Sequence, residues 1–133
     1  MNPENISGDH SNSDETRVIL IVDDDREFCH TLKDILEAEG FKILIAFNGD
    51  QAYQITKSKK VGLIISDVRM PVVNGIALLE MIRGKNPGMK IIIVTAYEEM
   101  KIYIEVMRLG AFCFLKKPLD IDALKQKVIE AFS

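Results

Sequence analysis

The chain has 133 residues, 47% of them hydrophobic and 28% charged, and this length and composition suit one domain with one hydrophobic core. The net charge is −3, but residues 1–16 hold four acidic residues and no Lys or Arg, so the rest of the chain is nearly neutral and direct binding of nucleic acid is not expected. No segment has the ~18 uncharged apolar residues of a membrane span or the pattern of a secretory signal, so we expect a cytoplasmic protein.

The first sixteen residues differ in composition from the rest of the chain. Residues 1–16 are rich in Asn, Ser, Asp and Glu, and Met1 and Ile6 are their only sizeable apolar side chains. Because such a segment buries too little apolar surface to fold, we predict a disordered leader over 1–16 and one domain over 17–133.

Five short apolar runs alternate with longer stretches of helical periodicity from Arg17 onward. The runs are continuous and rich in β-branched residues, which is typical of strands buried on both faces of a parallel sheet. In chain order, the predicted strands are Val18–Val22, Lys42–Phe47, Gly62–Ser66, Lys90–Val94 and Phe112–Leu115.

The stretches that follow these runs predict five helices. The first places Phe28, Leu32, Ile35 and Leu36 on one face and ends near Gly40. The others are Asp50–Ser58 after an Asn48-Gly49 turn, Ile76–Arg83 before the break at Asn86-Pro87-Gly88, Glu98–Leu109 before Gly110, and Ile121–Phe132. Five such repeats predict an α/β fold, a flavodoxin-like doubly wound parallel sheet with strand order 2-1-3-4-5.

The two cysteines carry no recognisable ligand or redox spacing. Cys29 and Cys113 are lone cysteines in apolar contexts, outside any CxxC motif and without the spacing of a Cys–His ligand pair. This pattern predicts two buried free thiols rather than a disulfide or a metal site.

Polar side chains follow four of the five predicted strands. The first strand ends in Asp23-Asp24-Asp25, the third in Asp67, the fourth in Thr95 and the fifth in Lys116-Lys117-Pro118. Taken singly, Asp67 fits a turn residue, Thr95 an ordinary strand residue and Lys117 a solvated charge. Ligands of open parallel sheets bind at the carboxyl ends of strands, so together these residues predict one site.

The residue types at this edge suit a divalent cation and a phosphoryl group. Adjacent carboxylates disfavour each other's ionisation unless a positive charge lies between them, and Mg²⁺ takes carboxylate and phosphate oxygens as ligands. A carboxylate can act as the nucleophile that forms an aspartyl phosphate, while Lys and Thr can stabilise the charge on the transferring oxygens. Asp25 fits better as the N-cap of the first helix.

The ordered set of motifs at the strand ends resembles the receiver domain of two-component response regulators. It consists of Asp23-Asp24, Asp67-Val68-Arg69-Met70-Pro71 with Gly75, Thr95-Ala96 and Lys117-Pro118, and the resemblance covers 17–132. The stretches 95–97 and 117–122 are similar to sporulation-phosphorelay and nitrogen-regulatory receivers. The resemblance implies a phosphoprotein of two-component signalling, either a standalone receiver or a part of a larger regulator.

The resemblance also implies a role for each matching residue. Asp67 would be the phosphoacceptor, and the donor would be a phosphohistidine of a sensor histidine kinase or a histidine phosphotransfer protein. Asp23, Asp24, Asp67 and the backbone carbonyl of Arg69 would bind Mg²⁺ or Mn²⁺. The phosphoryl group would contact Thr95 and Lys117, Phe114 would be the aromatic switch residue, and the bond before Pro118 would be cis. Such a domain promotes only its own phosphorylation and dephosphorylation and is not an enzyme.

The sequence departs from the commoner pattern of the family in three places, one of which is the extra Asp25, which matches no metal position. Phe114 lacks the hydroxyl of the more usual Tyr, so packing alone must set its rotamer. Arg69 and Tyr97 stand two residues beyond Asp67 and Thr95, where their bulk is expected to obstruct the attacking water. We therefore expect a long-lived phosphoryl state whose hydrolysis rate depends on Arg69 and Tyr97.

The predicted fourth helix has more apolar positions than one buried face uses. They are Met100, Ile102, Tyr103, Ile104, Val106, Met107 and Leu109. The surplus either covers the neighbouring helix and strand or forms a patch that binds a partner. The resemblance implies that the surface of helix four, strand five and helix five switches on phosphorylation and forms a homodimer.

Two other classes of protein fit parts of the pattern. A haloacid-dehalogenase-like phosphatase would use Asp23 and Asp25 as nucleophile and acid, but that family has Thr or Val two residues after the second Asp, where this chain has Glu27. A flavodoxin-like electron carrier would share the fold, but three carboxylates would repel a flavin phosphate. The phosphatase alternative also leaves the spacing from Asp67 to Gly75 unexplained.

Overall fold

The computed structural model describes residues 17–68, 74–96 and 102–133, which form a single parallel sheet flanked by helices. The strands are β1 (Val18–Val22), β2 (Lys42–Ala46), β3 (Leu63–Ser66), β4 (Lys90–Ala96) and β5 (Cys113–Lys117). The helices are α1 (Arg26–Ala38), α2 (Gly49–Ser58), α3 (Gly75–Lys85), α4 (Tyr103–Arg108) and α5 (Ile121–Phe132). None of the helices in these ranges is long and apolar enough to cross a membrane.

The sheet has the predicted topology. All four strand pairs are parallel, and the strand order is β2-β1-β3-β4-β5. Alternate strand residues point to opposite faces, so the apolar runs supply two separate cores. α1 and α5 cover the face that includes Ile19 and Ile21, while α2, α3 and α4 cover the face that includes Leu20 and Val22.

Short polar side chains fix the beginnings of four helices. Asp25, Asn48, Asn74 and Asp120 each accept a hydrogen bond from the backbone N–H three residues further on, which satisfies a donor that the helix leaves unpaired. The predicted role of Asp25 as an N-cap is confirmed. The Asn48-Gly49 pair is not a separate turn, because Asn48 caps α2 and Gly49 is its first residue.

Several predicted boundaries were wrong by a few residues. β4 continues through Thr95 to Ala96, and β5 continues to Lys117 instead of ending at Leu115, because the ladder between these strands pairs Ala96 with Lys117. The predicted beginning of the fourth helix lies outside the described residues. So do the leader, Arg69, Tyr97 and Met100.

The two thiols differ in burial. Cys29 is buried, as predicted, whereas Cys113 is only partly buried, which corrects the expectation of two buried cysteines. Burial raises the pKa of Cys29 to about 12 and that of Cys113 to about 11, so both are protonated at neutral pH.

Candidate functional site

Three carboxylates meet at the carboxyl edge of the sheet and form what we call the carboxylate cluster: Asp23, Asp24 and Asp67. Asp23 and Asp24 follow β1, and Asp67 follows the neighbouring β3. One carboxylate oxygen from each residue lies within 4.8 Å of the others. The three differ in exposure, since the side chain of Asp23 is 2% exposed and that of Asp67 is 11%, while Asp24 is exposed.

Asp23 is the most buried member of the cluster, and hydrogen bonds hold both of its oxygens. Oδ1 accepts the backbone N–H of Asp25 at 2.9 Å, and Oδ2 accepts Lys117 Nζ at 2.7 Å. Burial raises the pKa of Asp23 above its usual 3.8, because these two hydrogen bonds offset only part of the lost hydration. The ionised cluster therefore gains from any further positive charge.

Lys117 supplies the positive charge nearest to the cluster that the described residues show. Its Nζ lies 2.7 Å from Asp23 Oδ2 and 3.6 Å from Asp67 Oδ2. Burial alone would lower the pKa of Lys117, but the hydrogen bond and charge of Asp23, together with the charge of Asp67, raise it above the usual 10.5. The ammonium is therefore fully charged at neutral pH. The Lys117–Pro118 peptide bond that follows is cis.

Backbone contacts hold Asp67 in place at the end of β3. Its Oδ1 accepts the N–H of Val68 at 2.7 Å, and its carbonyl accepts the hydroxyl of Ser66 at 2.9 Å. The N–H of Gly75, at the beginning of α3, donates to the carbonyl of Val68 at 2.8 Å. A Cβ on Gly75 would lie 2.3 Å from the Asp67 carbonyl oxygen, so only glycine permits this approach.

Thr95 is buried on β4 with a hydroxyl that has no hydrogen-bond partner among the described residues. Its side chain is 1% exposed. An unpaired buried hydroxyl costs free energy, so the Thr95 hydroxyl calls for a partner that residues 17–68, 74–96 and 102–133 do not provide. Since β4 lies between β3 and β5, the hydroxyl belongs to the same edge of the sheet as Asp67 and Lys117.

Phe114 of β5 lies on the face of the sheet that α4 covers. It pairs with Ile93 across the ladder, and its ring meets the ring of Tyr103 edge-on at 5.5 Å between centroids. Thr95 follows Ile93 by two residues and therefore shares this face. The surplus of apolar residues on α4 is partly exposed: Ile104 is 67% exposed and Tyr103 45%, while Val106 is buried.

The donor set of the carboxylate cluster fits a hard divalent cation. Three carboxylates close together offer the oxygen ligands that Mg²⁺ and Mn²⁺ prefer. Burial first, and the charge of Asp67 to a smaller degree, raise the pKa of Asp23, and a bound cation would favour its ionised form. The Arg69 carbonyl, the fourth predicted ligand, lies outside the described residues.

The third carboxylate of the Asp23-Asp24-Asp25 run has a different task. Asp25 Oδ1 accepts the N–H of Phe28 at 3.0 Å, and its own N–H donates to Asp23. An aspartate held as a helix cap is not placed to act as the acid partner of Asp23, as a dehalogenase-like phosphatase would require.

Sequence reasoning missed one residue of the site. Phe28 was assigned only to the apolar face of α1, yet its ring centroid lies 4.3 Å from Lys117 Nζ. The sequence offered one signal, an aromatic residue in the first turn of a helix that begins beside the acidic end of β1. This signal predicts a contact of Phe28 with Lys117 only when the position of Lys117 is already known.

Residues 19–129 match the family model of the response regulator receiver domain. The chain is 36% identical over 115 residues to the transcriptional regulatory protein ZraR of Salmonella typhimurium, covering 86% of this chain and 26% of that protein. It is 33% identical over 113 residues to a cyclic di-GMP phosphodiesterase of Thermotoga maritima, covering 85% of this chain and 30% of that protein. The chain thus spans about a quarter to a third of the length of these relatives.

Solved structures give the same likeness. A response regulator receiver domain protein of Clostridium thermocellum superposes with a TM-score of 0.82 at 28% identity, covering 86% of this chain and 93% of that one. The receiver domain of NtrX from Brucella abortus has a TM-score of 0.82 at 26% identity, covering 86% and 97%. The Francisella response regulator 1452 receiver domain has a TM-score of 0.81 at 30% identity, covering 86% and 95%.

Proposed function

This chain belongs to the receiver domains of response regulators, a signalling family, and we propose that within it Asp67 is the residue that accepts the phosphoryl group. The donor is a phosphohistidine of a sensor histidine kinase or of a histidine phosphotransfer protein. One observation carries the assignment: Asp67 joins the carboxylate cluster with Lys117 close to its Oδ2, and it is less buried than Asp23.

The chemistry is an in-line displacement at phosphorus. A carboxylate oxygen of Asp67 forms the new O–P bond while the N–P bond to the donor imidazole breaks, and the bonding electron pair leaves with the imidazole. Lys117 Nζ then pairs with the phosphoryl oxygens, and the unpartnered hydroxyl of Thr95 donates to one of them. The carboxylate cluster and the Arg69 carbonyl would hold a divalent cation, which would supply further positive charge against these oxygens.

The response is a change in the surface around α4. When the Thr95 side chain moves toward the phosphoryl group, it changes the room available to Phe114, which lies on the same face of the sheet. Phe114 has no hydroxyl to bond, so its contact with the Tyr103 ring sets its position. The exposed Ile104 and Tyr103 are then available for a partner, for which we propose a second copy of the chain on phosphorylation.

Two further parts of the proposal rest on the sequence. Arg69 and Tyr97 obstruct the water that hydrolyses the aspartyl phosphate, which gives a long-lived signal. The chain matches about a quarter of a transcriptional regulatory protein and about a third of a cyclic di-GMP phosphodiesterase. We therefore propose that the output of a regulator containing this domain is set by the other domains of that regulator.

Acetyl phosphate provides the direct test, because a small donor removes the need for a kinase. With Mg²⁺, the protein should gain the mass of one phosphoryl group, stable in acid and lost in base, and peptide mapping should place it on Asp67. A chelator should prevent the reaction. A phosphoryl group on another residue, or none with Mg²⁺ present, would contradict the proposal.

The proposed cation site predicts that Mg²⁺ stabilises the fold. A ligand that binds only the native state adds RT ln(1 + [L]/Kd), or about 2.7 kcal/mol at a hundred times Kd. The free energy of unfolding in urea, followed by circular dichroism, should rise with Mg²⁺ and should not rise with NaCl of equal ionic strength.

The variant Asp24→Asn separates the metal from the fold. Asp24 is exposed and belongs to a cluster of like charges, so its neutralisation should not destabilise the metal-free protein. In Asp24→Asn, a higher Mg²⁺ concentration should be needed to raise the free energy of unfolding by the same amount as in the parent protein. An unchanged Mg²⁺ dependence in Asp24→Asn would remove Asp24 from the ligand set.

A further inference from the structure

Within the part of the chain that the structure describes, the ammonium of Lys117 has three close neighbours, two carboxylates and one aromatic ring. Asp23 Oδ2 lies at 2.7 Å and Asp67 Oδ2 at 3.6 Å, while the third neighbour is the face of the Phe28 ring, 4.3 Å from Nζ to the centroid. The negative potential of an aromatic face attracts a cation at this distance. Phe28 is partly buried and Lys117 is 25% exposed, so water only partly screens the contact.

The fold brings the two side chains together by simple periodicity. Cys113 and Leu115 of β5 pack in the core beneath α1 and α5, and Lys117, two residues further on, points to the same face. Phe28 packs against that core from the first turn of α1. Lys117 therefore emerges beneath the ring.

The backbone of Phe28 is itself tied to the carboxylate cluster. Its N–H donates to Asp25 Oδ1 at 3.0 Å, and the N–H of Asp25 donates to Asp23 Oδ1 at 2.9 Å. Since Asp23 Oδ2 accepts Lys117 Nζ, the four residues form a closed ring of contacts: Asp23, Asp25, Phe28 and Lys117. The helix cap thus fixes the position of the aromatic face relative to Asp23.

We propose that Phe28 is a positioning residue for the phosphoacceptor site, whose ring face keeps the Lys117 ammonium between Asp23 and Asp67. This inference rests on the proposed function. A lysine side chain has a flexible four-carbon stem, and without the ring its ammonium can turn outward into water.

The ring suits a cation that must change partners. In this structure Lys117 Nζ is hydrogen-bonded to Asp23 and lies farther from Asp67. Phosphorylation of Asp67 requires Nζ to pair with the phosphoryl oxygens on Asp67 instead. A hydrogen-bond acceptor in place of the ring would fix Nζ in one direction. Attraction to an aromatic face depends less on direction, so Nζ keeps this contact while it moves toward Asp67.

The test compares Phe28→Leu with Phe28→Tyr, because leucine removes the aromatic face and tyrosine retains it. Phosphorylation by acetyl phosphate should be roughly three- to tenfold slower in Phe28→Leu and within about twofold of the parent in Phe28→Tyr. The second readout needs neither metal nor donor. Labelling of Lys117 by a water-soluble amine-reactive ester, measured by mass spectrometry in metal-free protein, should rise by roughly the same factor in Phe28→Leu only.

Phe47 provides the matched control. Its ring lies under the Arg26 guanidinium at 4.0 Å, a contact of the same kind that involves neither Lys117 nor the carboxylate cluster. Phe47→Leu should change neither readout. If Phe28→Leu does not fold, Phe28→Met replaces it in the same comparison.

Three results overturn the inference: unchanged labelling and rate in Phe28→Leu, equal losses in Phe28→Leu and Phe28→Tyr, or the same changes in Phe47→Leu. Failure of the proposed function looks different. The parent protein then takes no phosphoryl group at all, and the labelling of Lys117 still decides whether Phe28 holds the ammonium.

Discussion

Replacing Asp67 with asparagine is expected to abolish phosphorylation by acetyl phosphate and to leave the fold intact. The amide has nearly the shape of the carboxylate, and its oxygen can still accept the N–H of Val68. It lacks the anionic oxygen that forms the O–P bond. The incorporated phosphoryl group, measured by intact mass, should fall below detection.

Asp67→Asn should also leave the metal-free protein as stable as the parent or make it more stable. The charge of Asp67 is one of the influences that raise the pKa of Asp23, so removing it relieves repulsion within the carboxylate cluster. Urea denaturation without Mg²⁺ should therefore show an equal or higher free energy of unfolding. This separates loss of the nucleophile from loss of the fold.

The neighbouring aspartates give controls for this experiment. Asn caps a helix about as well as Asp, so Asp25→Asn should keep the phosphorylation rate within about twofold. Asp24→Asn should be slow at low Mg²⁺ and recover as Mg²⁺ rises. Phosphorylation of Asp67→Asn at the parent rate would mean that another carboxylate is the nucleophile.

The topology and the meeting of the three carboxylates were predictable because they follow from hydrophobic periodicity and from general rules for parallel sheets. Continuous β-branched runs imply buried parallel strands, and the handedness of the connections leaves one common strand order. The carboxyl ends of β1 and β3 then lie side by side, so Asp23, Asp24 and Asp67 had to be neighbours. No further knowledge of packing was needed to bring them together.

Contacts that depend on atomic distance were not predictable in the same way. The ladder that carries β5 to Lys117 depends on the register with β4, which no short run of residues reveals. The ring of Phe28 reaches Lys117 across 89 positions of sequence, and an apolar residue on an apolar helix face gives no sign of a second role. Such roles arise from packing, after the pattern has already fixed the fold.

The two glycines of α3 also differ in packing contacts that the sequence does not reveal, and this difference leads to a paired prediction. Gly75 begins the helix and Gly84 lies near its end, and neither has a positive φ. A Cβ on Gly75 would lie 2.3 Å from the Asp67 carbonyl oxygen and 2.8 Å from Val68 Cα, whereas a Cβ on Gly84 would meet nothing within 4 Å. Opposite effects are expected from the same substitution.

Gly75→Ala should lower the free energy of unfolding by about 2–4 kcal/mol, because backbone atoms must move apart and the bond from Gly75 N–H to the Val68 carbonyl is strained or lost. Gly84→Ala should raise it by about 0.5–1 kcal/mol, the helix propensity gained by removing a glycine. Urea denaturation followed by circular dichroism measures both.

The displaced Asp67 should also accept a phosphoryl group from acetyl phosphate at least about tenfold more slowly in Gly75→Ala, since small errors in position are costly to group transfer. Equal stabilities of the two variants would show that α3 does not hold Asp67 through this contact.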